Sequence, residues 1–169
     1  MTSVKLLSTT HFNTWQLAKA DEARRLIEAT VNGAAFRNAV LAARFLDTRL
    51  ERPDGSVVEN LSNQQILDTI LSGAEQGTPA DGVIGLRVTL YHQWWASALG
   101  WTDEDGVIHT CANKFFNGAE PNEVAGHWLH EWTHAAGFRH DYKRTSRRSQ
   151  SVPYVIGDLV ATLAAPTAR

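Results

Sequence analysis

One run of residues constrains this chain more than any other: His130-Glu131-Trp132-Thr133-His134-Ala135-Ala136-Gly137-Phe138-Arg139-His140. On a helix, residues four apart lie on one face with their Cβ atoms about 5–6 Å apart, so His130 and His134 can reach one cation together. Glu131 projects about 100° further round the axis, placed to touch a water beside that cation without ligating it. Glycine adopts the left-handed conformation that ends a helix, so Gly137 turns the chain and returns His140 towards the first two histidines. From this chain's own composition, the short H-E-x-x-H arises by chance in about one or two chains per hundred, and the full pattern in about five per hundred thousand. The spacing therefore demands a helix, a glycine turn and a third ligand. Zinc suits such a nitrogen set, one ion per chain with a fourth position open for chemistry.

The surrounding sequence supplies that context. A helix is expected over about 121–136, with Pro121 in the tolerated first turn, Glu123 near the positive end of the dipole, and Val124, Trp128 and Trp132 on one apolar face. Upstream, Asn13 or Thr14 can cap a helix carrying Ala23, Leu26, Ile27 and Val31. Phe36, Val40 and Ala43 resume the spacing after Gly33. Pro53-Asp54-Gly55 signals a turn before Val57-Val58. Ser62 caps a short helix of Ile66, Leu67, Ile70 and Leu71 that ends near Gly73. After the loop from Gly77 to Gly82, Ile84, Leu86, Val88 and Leu90 alternate with polar or small residues as in a half-buried strand. Segments 96–102 and 107–115 flank Asp103-Glu104-Asp105-Gly106 as a hairpin, and Asn117-Gly118 closes its second strand. The expected class is α+β: N-terminal helices, a small mixed twisted sheet, the site helix, and a short C-terminal subdomain over about 138–169, all in one domain spanning 1–169.

Composition narrows the chemistry further. Sixteen basic against eighteen acidic residues give a net charge of −2, so no overall field recruits nucleic acid or an anionic membrane. The single cysteine, Cys111, forbids an intramolecular disulfide and a cysteine-rich zinc finger. The stretch free of Asp, Glu, Lys and Arg between Val88 and Thr102 is shorter than the roughly 20 apolar residues of a membrane span. Residues Met1 to His11 lack a signal-peptide core, making a cytoplasmic monomer the default expectation, with export by a signal-less route left open.

The run from His130 to His140 resembles the zinc-binding signature of the metzincin metallopeptidases, and a sheet ahead of the site helix is similar to their catalytic domain. Asp141 follows the third histidine as in the adamalysin branch. The resemblance implies a metzincin-like zincin fold, a Zn2+ held by His130, His134 and His140, Glu131 as general base, and a peptide or protein substrate. Such a peptidase uses zinc to acidify a water and polarise the scissile carbonyl, while Glu131 moves the proton. The chain departs from the family at the methionine turn: Met1 is its only methionine, and Ser151-Val152-Pro153-Tyr154 stands where the turn would fall. Tyr154 is a candidate donor to the oxyanion, with a packed tyrosine as the plain alternative.

Other readings stay open at the level of sequence. The metal could support a non-catalytic protein- or peptide-binding domain, or a zinc amidase acting on cell-wall peptide. Asp141 could replace His140 as third ligand. His127 reads as a solvated histidine, with a place in the cleft as the alternative. His109, Cys111 and Asn113 read as one face of a strand, and Trp94, Trp95 and Trp101 as core or cleft walls. Lys143, Arg144, Arg147 and Arg148 read as a solvated basic loop. Strand 107–115 is expected to offer an edge on which an extended peptide can pair.

Overall fold

The computed structural model describes residues 1–76, 78–95 and 98–166. The first part of the chain runs β1 (Ser3–Thr10), α1 (Thr14–Asn32), α2 (Ala34–Ala42), β2 (Leu50–Glu51), β3 (Val57–Val58) and α3 (Asn63–Ser72). The second runs β4 (Val83–Tyr91), β5 (Gly100–Thr102), β6 (Val107–Cys111), α4 (Pro121–Ala135), α5 (Ser146–Ser149) and α6 (Val152–Leu163). It is a mixed α and β structure with one small mixed sheet in the order β1-β4-β6-β5. β1 and β6 run parallel to β4, and β5 runs antiparallel to β6. β2 and β3 form a separate antiparallel ribbon.

Local chemistry fixes the helix starts. Asn13 and Gln16 cap α1 reciprocally, as Ser62 and Gln65 cap α3, each satisfying two backbone N–H groups that lack helical partners. Ala20, Ala23, Ile27 and Val31 form the buried stripe of α1, and Gly73 ends α3 with φ 65°. Pro121 opens α4, and the Glu123 carboxylate accepts the Glu120 N–H there at 2.7 Å.

α4 lies at the centre, against α1, α6 and the sheet. Trp128 and Trp132 are fully buried, each contributing on the order of 3 kcal/mol by leaving water. Each indole N–H finds a partner, Trp128 at Thr110 Oγ1 (3.1 Å) and Trp132 at Glu75 Oε1 (3.0 Å). α6 crosses α4 at near backbone contact. A Cβ on Gly126 would stand 2.6 Å from the Gly157 carbonyl oxygen, and one on Gly157 2.9 Å from His130 Cβ. This crossing brings the start of α6 against the histidines of α4. Among the described residues, no helix is long and apolar enough to cross a membrane.

Three expectations need correction. The N-terminal segment is a strand, so the sheet begins before the helices. The second strand of the hairpin stops at Cys111 and gives way to a π-helical turn, Ala112–Phe116, because adjacent Phe115 and Phe116 both pack inward, against His127 and Trp128. Asn117 therefore closes that turn. Finally, β6 is hydrogen-bonded on both sides, to β4 and to β5, so it offers no free edge; the edges of the sheet are β5, next to β6, and β1 at the far side. Ala96, where the first hairpin strand was expected to begin, lies outside the described residues, as do Gly77 of the preceding loop and the last three residues of the 1–169 span.

Candidate metal centre

α4 presents His130 and His134 on one face, one turn apart, with ring centroids 5.2 Å apart. The helix ends at Ala135, and Gly137 takes φ 103°. Two requirements make this position a glycine: the positive φ, and the close approach of the Glu51 carbonyl oxygen, which a side chain would overlap. The β2–β3 ribbon grips the turn. Glu51 N donates to the Gly137 carbonyl (2.9 Å), Arg139 N to the Arg49 carbonyl (3.1 Å), and the Arg139 guanidinium meets the Glu51 carboxylate at 2.8 Å. So held, the loop delivers His140 to centroid distances of 5.6 Å from His130 and 4.8 Å from His134.

One nitrogen of each of the three rings lies within 4.8 Å of the others. Some point is therefore within about 2.8 Å of all three, a small ring movement from the 2.0–2.1 Å of a zinc–nitrogen bond. His134 Nδ1 donates to the Phe138 carbonyl (2.8 Å) and His140 Nδ1 to the Asp141 carbonyl (3.1 Å), an assignment that follows from the acceptors being carbonyls. Each Nε2 then keeps a lone pair, as a metal ligand must. Burial is the leading cause that lowers all three pKa values, His134 to about 4 and His130 well below its ordinary value, so the imidazoles are neutral at pH 7. Three convergent, neutral, oriented imidazoles fit a zinc ion with one position open. Asp141 is outside the cluster: its carboxylate takes hydrogen bonds from Arg49 and Thr145.

Glu131 is 6% exposed, and burial pushes its carboxyl up to about 7, against the hydrogen bond from Thr102. Thr102 Oγ1 lies 3.0 Å from Glu131 Oε2 and 2.9 Å from the Glu131 carbonyl oxygen. His127 corrects its expected solvation. It is largely covered beneath β5, burial lowers its pKa to about 4, and among the described residues its Nε2 has no hydrogen-bond partner. Its Nδ1 is 3.8 Å from Glu131 Oε1, but a neutral imidazole at that distance makes neither an ion pair nor a hydrogen bond. Neither Thr102 nor the burial of His127 was read from sequence, because both depend on β5 lying across α4.

Tyr154, in the first turn of α6, packs its ring 4.6 Å from His130 and 5.1 Å from His140, with the Arg148 guanidinium 5.3 Å from its centre. Arg147 reaches Asp47 at 3.6 Å, so the basic loop is partly engaged with the protein. On the sheet face away from α4, His109 stacks on Trp101 and meets Asp103 at 2.8 Å. Cys111 is buried, and Asn113 hydrogen-bonds His92. Those residues hold a turn and form no second cluster with His109. Trp94 and Trp95 are 81% and 80% exposed, which excludes them from the core.

Comparison with family models, curated proteins and solved structures finds no match to this chain. Any functional assignment therefore rests on the motif and its geometry.

Proposed function

We propose that the chain is a zinc-dependent metallopeptidase with a metzincin-like catalytic domain. The observation that carries this reading is the convergence of His130, His134 and His140 together with a buried carboxylate on the same helix, Glu131, that the metal does not need as a ligand. A purely structural site would close its fourth position and has no use for such a carboxylate. Bound zinc supplies a lowered pKa for an attacking water and polarisation of the scissile carbonyl. Glu131 accepts the proton of that water and returns it to the leaving amine, a role suited to a carboxyl near neutrality. β5 is an edge strand and touches Glu131 through Thr102, so an extended peptide pairing along its open side runs beside the base. Tyr154, packed against two of the three ligands, is the candidate donor to the developing oxyanion.

Elemental analysis together with cleavage of a diverse peptide library, with and without chelator, tests the proposal. One zinc per chain and chelator-sensitive cleavage are expected. Zinc without any cut peptide would favour a binding domain, and folded protein that takes up no zinc would end the proposal.

A further inference from the structure

The Glu131 side chain is buried on the middle helix, and among the described residues its carboxylate takes one hydrogen bond, from Thr102. That hydroxyl reaches two acceptors of the same residue, Oε2 at 3.0 Å and the backbone carbonyl at 2.9 Å. A group in contact with both the tip and the root of a flexible side chain restricts its rotamers. The other oxygen, Oε1, lies 3.8 Å from His127 Nδ1, beyond hydrogen-bond reach, and so stays free to work on a proton.

The position of Thr102 is itself fixed from both sides. Immediately after it, Asp103 accepts from the N–H groups of Asp105 and Val107 and meets His109 at 2.8 Å, locking the turn. Two residues before it, Gly100 lets β5 settle onto α4, since a Cβ there would stand 2.6 Å from His127 Nε2. The ring of His127 fills the space beneath the strand, with Phe115 edge-on at 5.1 Å.

We propose that Thr102 is a positioning residue for Glu131, through which the edge strand β5 holds the general base in its working rotamer. This rests on the peptidase reading for its catalytic consequence and on the geometry alone for the restraint. Thr102→Val preserves shape and strand preference while removing the hydroxyl, and Thr102→Ser restores the hydroxyl. In the zinc-loaded protein, T102V should lower kcat roughly 10- to 100-fold, the scale of losses from a displaced catalytic group or its support. KM should stay within about twofold, and T102S should recover kcat to within about threefold of wild type. Zinc content should remain one per chain in both. A second readout needs neither zinc nor substrate. In 13C-labelled metal-free protein, the two Hγ protons of Glu131 should resonate apart in wild type and T102S, as in a single rotamer, and converge in T102V. Undiminished kcat in T102V, a loss confined to KM, or an unchanged Hγ separation would overturn the proposal. A wild-type protein that cuts no peptide would sink the peptidase reading, while the Hγ measurement would still decide the role of Thr102.

Discussion

Two carboxylates are buried in the elements that carry and brace the histidines, and the fold treats them in opposite ways. Asp47 is 1% exposed and surrounded by positive charge. Arg49 approaches both of its oxygens, Arg147 stands at 3.6 Å, and the Arg49 N–H adds a further bond at 3.3 Å. Glu131 is 6% exposed and, among the described residues, has one hydroxyl and no cation near it. A buried charge is tolerated where it is paired, and where it is not paired the group is driven towards its neutral form. Asp47 is thus a tie: through Arg49 it reaches Asp141, and its backbone carbonyl takes the Val152 N–H, joining the loop that carries His140 to the start of α6. Glu131 is left under-satisfied, a local cost that fits a group meant to exchange a proton. Substituting each carboxylate by its amide should separate the two roles.

Glu131→Gln should show the larger effect, a loss of activity with no loss of stability at neutral pH. Peptide cleavage should fall by roughly 10³–10⁴, the upper range for losing a general base, with one zinc per chain retained. Removing a buried group that resists ionisation should leave thermal stability equal or raised. Turnover and Tm measured on the same preparation check both halves, and a variant that cleaves at the wild-type rate breaks the comparison.

Asp47→Asn should do the reverse. Breaking a buried ion pair costs about 3–5 kcal/mol, but Arg49 is partly exposed and keeps Asp141, so a loss of roughly 2–3 kcal/mol is expected. That corresponds to a fall in Tm of about 5–10 °C for a chain of this size. Zinc affinity should weaken about tenfold, because the loop carrying His140 loses its tie. A normal Tm would show that Asp47 is not the tie.

Gly137→Ala probes the same loop through the backbone. Alanine would be forced to φ 103° and into the Glu51 carbonyl, at a cost of about 2 kcal/mol. Chemical denaturation and zinc titration should move together, since strain there displaces His140. Weakened zinc binding at unchanged stability would place the fault in ligand geometry alone.

What the sequence revealed and what it hid divide along the range of the interactions. The caps of α1 and α3 and the proline start of α4 are settled within four residues of chain, and all three were legible. The histidine triad was legible for the same reason, with two histidines one helical turn apart and the third brought back by a glycine. β1 was not, because Val4 is its one buried residue and its pairing with Ile84 crosses the whole helical segment. β6 passed as an edge because sequence does not say that β4 covers its other side. His127 looked solvated from its helical spacing alone; its burial depends on Gly100 and Phe115, both distant in the chain. The motif picks out the three histidines and Glu131, whereas the residues that hold them in place come from the tertiary structure.

The smallest expected effect is on the pH dependence of metal-free stability, and its sign separates Glu131 from the histidines around it. Burial lowers His127 and His134 from 6.5 to about 4, so between those values the unfolded chain binds more protons than the folded one. Stability from these groups is complete above pH 6.5 and is lost as pH falls towards 4. Glu131 acts in the opposite sense. Its pKa rises from 4.5 to about 7 on folding, so the folded chain holds the extra proton, and this contribution fades as pH climbs through that window. Between 4.5 and 6.5 the carboxyl therefore offsets part of the histidine term. Glu131→Gln removes the offset, so its stability should climb more steeply with pH there, by at most about 1.4 kcal/mol per pH unit, the slope of a single proton. Urea midpoints of the metal-free wild type and variant across this range give the two slopes. If the two curves run parallel, Glu131 already ionises normally in the folded chain, and its contrast with Asp47 reduces to the number of hydrogen bonds each receives.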